Sequence, residues 1–147
     1  MTKMKRAEQL QKLSREHHGS LVMAKKITKV VETGSDEELV EAIALVNKYN
    51  DDELEEHFQH EEHTIFAPIF KEYKEHIELA KPLLKEHGYL RMLIPRITPE
   101  TARQDLAEFA VILERHTRVE ERELFPIIES LFTDEQMDAV LNFKPFN

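Results

Sequence analysis

His57-Phe-Gln-His-Glu61-Glu62-His63-Thr-Ile65-Phe66 recurs in its essentials as His116-Thr-Arg-Val-Glu120-Glu121-Arg-Glu-Leu124-Phe125. Both stretches read His-x-x-x-Glu-Glu-x-x-[Ile/Leu]-Phe, with a proline close behind. Residues four apart share one face of an α-helix. Each copy therefore points one imidazole and one carboxylate in nearly the same direction. Two such helices facing each other offer two nitrogens and two carboxylates to a single interior point. That arrangement suits a metal cation.

The surrounding sequence supplies the helices. Leu39, Ile43, Val46 and Leu54 step by threes and fours, and the same stripe continues into His57, Glu61 and Ile65. Ser35-Asp-Glu-Glu38 is a capping-box pattern that starts this helix. Asn50-Asp-Asp is expected to loosen its middle, and Pro68 to lie at or near its end. Upstream, residues from about 8 to 32 carry the stripe Leu10, Leu13, Leu21, Ala24, Ile27 and Val31, closed by Gly34. Ser14 is an alternative N-cap for this first helix. A third helix is expected from about Lys71 to Leu93, kinked or broken at Pro82 and stopped by Pro95. Thr98-Pro99 reads as an N-cap followed by proline at the first helical position. The fourth helix carries Leu106, Phe109, Leu113, His116, Glu120 and Leu124. A short last helix is capped by Thr133 and runs through Met137 and Leu141.

Composition agrees. The chain has 147 residues, three glycines, no tryptophan and one third charged residues. That is the profile of a mostly helical protein. Residues 1–147 read as a single domain, without linker or low-complexity segment. The expected fold is all-α, an up-down-up-down four-helix bundle with a short C-terminal helix. The absence of cysteine removes disulfides, thiolate metal sites and cysteine nucleophiles. A formal charge of −9 argues against nucleic acid and anionic membranes as partners. No stretch approaches the roughly 20 apolar residues that cross a bilayer. Polar residues follow Met1-Thr-Lys-Met-Lys-Arg6, so no signal peptide is expected and the default location is cytoplasmic.

A second repetition strengthens the first. Glu16-His17-His18 opens the first helix and Glu86-His87 lies in the third. The chain thus reads as one helical hairpin repeated twice, related by a pseudo-twofold axis, with histidines from all four helices converging on the core. Charged side chains are seldom fully buried unless paired or bound to a metal, yet Glu61 and Glu120 sit on inward stripes. A histidine–carboxylate cage without thiolates suits iron, manganese or zinc.

These residues resemble the hemerythrin-like proteins, also called HHE cation-binding domains. The likeness rests on the pair His17-His18, on His57-x-x-x-Glu61, on Glu86-His87, and on His116-x-x-x-Glu120 followed by Glu121 and Leu-Phe-Pro. It spans about residues 12–130. The resemblance implies a four-helix bundle around a non-haem centre, usually two irons, that binds dioxygen or another small ligand, senses oxygen or iron, or handles iron or peroxide. It further implies that Glu61 and Glu120 bridge the irons, with His57, His87, His116 and one of His17 or His18 as terminal ligands. Helical periodicity places His17 inward. The family's habit of apolar residues three and four after the ligand points instead to His18, through Leu21 and Val22. Both are carried, with His18 slightly preferred.

The sequence departs from the oxygen carriers in two places. Those carriers have a second histidine one turn beyond the first on the third helix, where this chain has Arg91. Their fourth-helix carboxylate is an aspartate five residues after its histidine, whereas Glu120 follows His116 by four. His60, His63 and His76 are the candidates for a missing nitrogen, although each alone reads as a surface residue. Glu62 and Glu121 read as solvent-facing or salt-bridged. Three functional classes stay open on the sequence: a di-iron protein that binds or senses a small ligand such as dioxygen, a di-iron peroxidase or oxidase, and a helical interaction module with a structural metal. Ferritin-like centres use Glu-x-x-His pairs, and this chain has none. The His76→Ala variant is expected to keep full metal content; loss of metal on elemental analysis would make His76 the missing ligand.

Overall fold

Gly34 and Ser35 set the first corner of the chain. The Gly34 N–H bonds the Val30 carbonyl at 2.7 Å, and a Cβ on residue 34 would stand 2.5 Å from that oxygen. Close approach, and not an unusual φ, is what requires glycine here. Ser35 then caps the next helix as its sequence suggests, with Ser35 and Glu38 forming a reciprocal capping box.

The computed structural model describes residues 6–145. Among these residues the structure is helical and contains no strand. Helix α1 is Gln11–Thr33, preceded by the 3-10 turn Glu8–Leu10. Ser14 therefore lies inside α1 and caps nothing. Helix α2 spans 36–72 without a break, as Asp36–Tyr49, Glu55–Glu61 and Ala67–Glu72 joined by π turns at Asn50–Leu54 and Glu62–Phe66. Helix α3 is Ile77–Arg96. Helix α4 spans 102–131, as Ala102–Val119 and Phe125–Leu131 joined by the π turn Glu120–Leu124. Helix α5 is Asp134–Leu141, and its Thr133–Gln136 capping box matches the expected cap.

The prolines meet expectation in part. Pro68 lies near the end of α2, at Glu72, and α3 ends at Arg96, directly after Pro95, but Pro82 does not break α3. The interruption falls instead at Tyr73 (φ −125°, ψ 58°) and the 3-10 turn Lys74–His76, so α3 starts at Ile77. Pro82 lies only in the second turn, where its missing N–H removes a single bond, that to Glu78. A helical proline also collides with the carbonyl four residues back. For Pro68 and Pro126 that carbonyl belongs to Thr64 and Arg122, each inside a π turn, whose wider ring relieves the clash. Thr98 and Thr101 exchange side-chain and backbone hydrogen bonds in a separate turn, so α4 begins at Ala102 and not at Pro99.

Two apolar clusters divide the core. One holds Ala24 and Ile27 of α1, Val46, Leu54 and Phe58 of α2, Leu90 and Leu93 of α3, and Leu106, Phe109 and Leu113 of α4. The other holds Leu10, Leu13, Ile65, Phe66, Ile69, Ala80, Leu83, Leu124, Phe125 and Ile128, closed by Met137 and Val140 of α5. Along α1, α3 and α4 the inward histidine falls between the two clusters; on α2 Glu61 does, with His57 one turn before it beside Phe58 of the first cluster. After α5, Phe143 stacks on His60 (4.7 Å between ring centroids) and His63 (5.9 Å), so this part of the C-terminal segment packs on the bundle. Phe146 lies outside the described residues. Among the described residues, no helix is long and apolar enough to cross a membrane. Removing the α2 cap with Ser35→Ala is expected to cost about 1 kcal/mol in urea unfolding with an unchanged m value; a loss several times larger would mean the corner does more than cap.

Candidate metal centre

α1 contributes His17, α2 contributes His57 and Glu61, α3 contributes His87, and α4 contributes His116 and Glu120. All six are buried, and Glu61, His87 and Glu120 are wholly inaccessible to solvent. Their inward atoms converge. His17 Nε2 lies 3.1 Å from Glu61 Oε2 and 2.8 Å from Glu120 Oε1. His57 Nε2 and His87 Nε2 each lie 3.2 Å from Glu61, on its two different oxygens. His116 Nε2 lies 3.2 Å from Glu120 Oε2.

The donors divide into two overlapping groups. His17, His57, Glu61 and Glu120 can each place a ligand atom within 4.8 Å of the others, and so can Glu61, His87, His116 and Glu120. Both carboxylates belong to both groups. Of the ligands that the resemblance implies, only His18 lies outside the cluster: it is exposed, while His17 is 2 % exposed. The rule that favoured His18 fails because Val22, one of its two apolar markers, is itself 55 % exposed. The helical stripe through Leu13, His17 and Ala24 is what points inward.

None of the substitute nitrogens joins the cluster. His60 is buried, contrary to its reading as a surface residue, but its Nε2 is 2.6 Å from the Val140 carbonyl. His63 is exposed beside Phe143, and His76 lies 3.9 Å from Glu75. Arg91 is engaged with Glu55 and Glu62. The tyrosine hydroxyls are also occupied, by Ser20 for Tyr49, Gln136 for Tyr73 and Glu108 for Tyr89.

A second set of carboxylates surrounds the first, and its role was not read from the sequence. His57 Nδ1 donates to Glu16 (2.8 Å), His87 Nδ1 to Glu62 (2.8 Å), His116 Nδ1 to Glu86 (2.9 Å) and His17 Nδ1 to Glu121 (2.5 Å). The pattern closes on itself: α1 orients the histidine of α2, α2 that of α3, α3 that of α4, and α4 that of α1. Each of these carboxylates also meets a cation, namely Lys12, Arg91, Arg115 and Arg6 respectively. Burial pushes the four carboxyls up, but the imidazoles and cations outweigh it and hold all four below the usual range. The sequence signal was a glutamate directly beside each inward residue: before the histidine on α1 and α3, after the glutamate on α2 and α4. Glu62 and Glu121 are thus half-buried: of the two readings the salt-bridged one holds, through Arg91 and Arg6, and each also accepts from a histidine.

The donor set fits a cation. With Nδ1 donating outward, the neutral imidazole turns the Nε2 lone pair toward the centre. His87 Nε2, His116 Nε2, Glu61 Oε1 and both Glu120 oxygens are buried without a hydrogen-bond partner. His17 approaches Glu120 within 2.8 Å yet without hydrogen-bond geometry at that oxygen. Buried polar atoms are normally satisfied, and orphans that aim at one point call for a bound ion. Phe58 lies 3.9 Å from the His87 ring and Phe125 5.1 Å from the His17 ring, which keeps the site dry.

A helical fold that gathers imidazoles and shared carboxylates at its buried centre defines a metal-binding helical-bundle protein. The family model described as Hemerythrin HHE cation binding domain matches residues 8–128, and the chain belongs to that family. No curated protein and no solved structure matches the chain.

Without metal, protons take the cation's place. Burial lowers His57 and His116, but Glu61 and Glu16 for the former, and Glu120 and Glu86 for the latter, raise them to about 9 and about 10. Burial raises Glu61, but His57, His17 and His87 hold it well below the usual carboxylate range. The histidine contributions to stability are complete below the ordinary imidazole value and vanish as pH rises through about 9 and about 10; the Glu61 contribution is complete above the ordinary carboxylate value and is lost in acid. The melting temperature of the metal-free protein should therefore fall as pH rises through about 9 and about 10. Metal-loaded protein, whose imidazoles carry no such protons, should be less affected; equal alkaline loss in both forms would contradict the assignment.

Proposed function

We propose that the protein is a non-haem di-iron protein of hemerythrin type that binds or senses a small ligand such as dioxygen, peroxide or nitric oxide. The observation that carries this reading is that Glu61 and Glu120 belong to both donor groups. A carboxylate shared between two neighbouring cations offsets their repulsion. His17 and His57 serve one cation, and His87 and His116 serve the other. Iron fits a set of imidazoles and carboxylates that lacks thiolates; manganese and zinc accept the same donors. The bound metal supplies redox chemistry and a position at which a small ligand coordinates. Four imidazoles and two carboxylates do not fill the coordination of two six-coordinate ions, which leaves that position available.

The chain itself orients and excludes. Glu16, Glu62, Glu86 and Glu121 fix the four imidazole planes and keep Nδ1 protonated, so that Nε2 faces inward. The two apolar clusters close the site from either end. α1 and α3 pass from the second cluster into the first, while α2 and α4 pass the other way. That alternation supports the up-down-up-down reading of the bundle.

Arg91 favours sensing or redox turnover over oxygen carriage. It stands where the carriers have a further histidine, and its guanidinium is fully engaged with Glu55 and Glu62. The nitrogen donors are therefore shared equally between the two cations. A peroxidase or oxidase is the second reading. Peroxide turnover well above that of free iron would select it, and its absence would select ligand binding.

Glu61→Ala combined with Glu120→Ala should abolish binding of the metal pair while most helical circular dichroism is retained. Two irons per chain in that variant would overturn the bridging assignment.

A further inference from the structure

The histidines of α1 and α3 are held by two clamps of the same design. Arg91 donates to Glu62 at 2.7 Å and 3.1 Å, and Glu62 accepts from His87 Nδ1. The same guanidinium lies 5.6 Å from the Phe58 ring centre, and Phe58 stacks on His87 at 3.9 Å with planes 16° apart. A second carboxylate, Glu55, receives the rest of the guanidinium at 2.8 Å. One arginine thus reaches one imidazole by two routes, through a carboxylate and through an aromatic ring.

Arg6 repeats each contact in the other half of the bundle. It donates to the Glu121 carbonyl at 2.9 Å and faces its carboxylate at 3.4 Å, and that carboxylate accepts from His17 Nδ1. Its guanidinium lies 5.5 Å from the Phe125 ring centre, and Phe125 stacks on His17 at 5.1 Å with planes 29° apart. Glu129 takes the place of Glu55, at 2.7 Å from Arg6, and also accepts from the Ala7 N–H at 2.6 Å. The two clamps differ in their support. Arg91 projects from the interior of α3, whereas Arg6 precedes the 3-10 turn Glu8–Leu10 and lies outside any helix.

We propose that Arg6 and Arg91 are matched positioning residues for His17 and His87, and that Arg6 makes the His17–His57 half of the centre conditional on docking of residues 6–10 against α4. The proposal rests on the two-cation reading for its metal-binding consequence but not for the clamps themselves. Helix α3 fixes Arg91 whether or not metal is present. Residues 6–10 precede α1, so undocking them exposes the buried Leu10 but leaves α1 wound, and Glu121 and Phe125 then lose the Arg6 contact that braces them against His17. By reciprocity, a cation that needs an oriented His17 favours the docked segment. The two half-sites therefore differ in how firmly they are preformed, although their donors are alike. Loading is ordered: the His87–His116 half fills first.

The test uses full-length protein with ¹⁵N-labelled histidine. In the metal-free state, Arg6→Gln should speed solvent exchange of the His17 ring N–H and leave that of His87 unchanged, and Arg91→Gln should do the reverse. Arg6→Lys, which keeps the charge, should restore part of the His17 protection. Anaerobic titration with ferrous iron should then show one of two equivalents weakened about 10-fold in Arg6→Gln, the size expected for losing an outer-shell partner. Iron should also slow amide exchange at residues 8–10 of the unmutated protein. An unchanged His17 ring in Arg6→Gln, or equal disturbance of both histidines by either variant, overturns the clamps. Unaltered exchange at residues 8–10 on loading overturns the conditional half-site. If the unmutated protein takes up fewer than two equivalents, the dinuclear reading fails, and the ring-exchange result still decides the clamps by itself.

Discussion

Two carboxylates buried side by side, with no solvent access and too few hydrogen-bond partners, are the constraint on which this structure turns. Moving one carboxylate into a protein interior costs several kcal/mol even after relaxation. Glu61 on α2 and Glu120 on α4 bear that cost together. Bound metal offsets it; protons on the surrounding imidazoles offset part of it when metal is absent. The rest of the molecule serves this arrangement. Two apolar clusters wall the polar layer off from solvent at each end, and a ring of glutamates holds every imidazole from outside.

The layered electrostatics run outward in alternating sign: carboxylates at the centre, imidazoles around them, carboxylates again, then lysine or arginine at the surface. Each layer stabilises the next, which explains how so many titratable groups share one core. The ring also ties all four long helices together through side chains and not through apolar contact alone. Each helix thus carries the carboxylate that holds the histidine of its neighbour.

Much of this was legible in the sequence, because i,i+4 spacing and amphipathic stripes are local properties. His57, Glu61, His116 and Glu120 are on one stripe per helix, and the capping boxes at Ser35 and Thr133 are complete within four residues. His17 was legible from the same stripe, but a family habit of spacing drew attention to His18, and only burial separates two neighbours on a helix. The π turns were only partly readable: two of them lie ahead of Pro68 and Pro126, yet Pro82 and Pro95 bring none, so a proline alone does not announce one; at Asn50-Asp-Asp, far from any proline, the loosening that the sequence suggests does appear. The Glu–His ring was missed for a different reason. Its bonds join different helices, so its members look like ordinary surface glutamates until the helices are assembled.

The central claim is that Glu61 and Glu120 together hold two cations. Anomalous X-ray scattering from crystals of iron-loaded protein tests it most directly. The account predicts two peaks inside the bundle, each within bonding distance of both glutamates, one beside His17 and His57 and the other beside His87 and His116. A single peak, or peaks that leave either glutamate without metal contact, would contradict it.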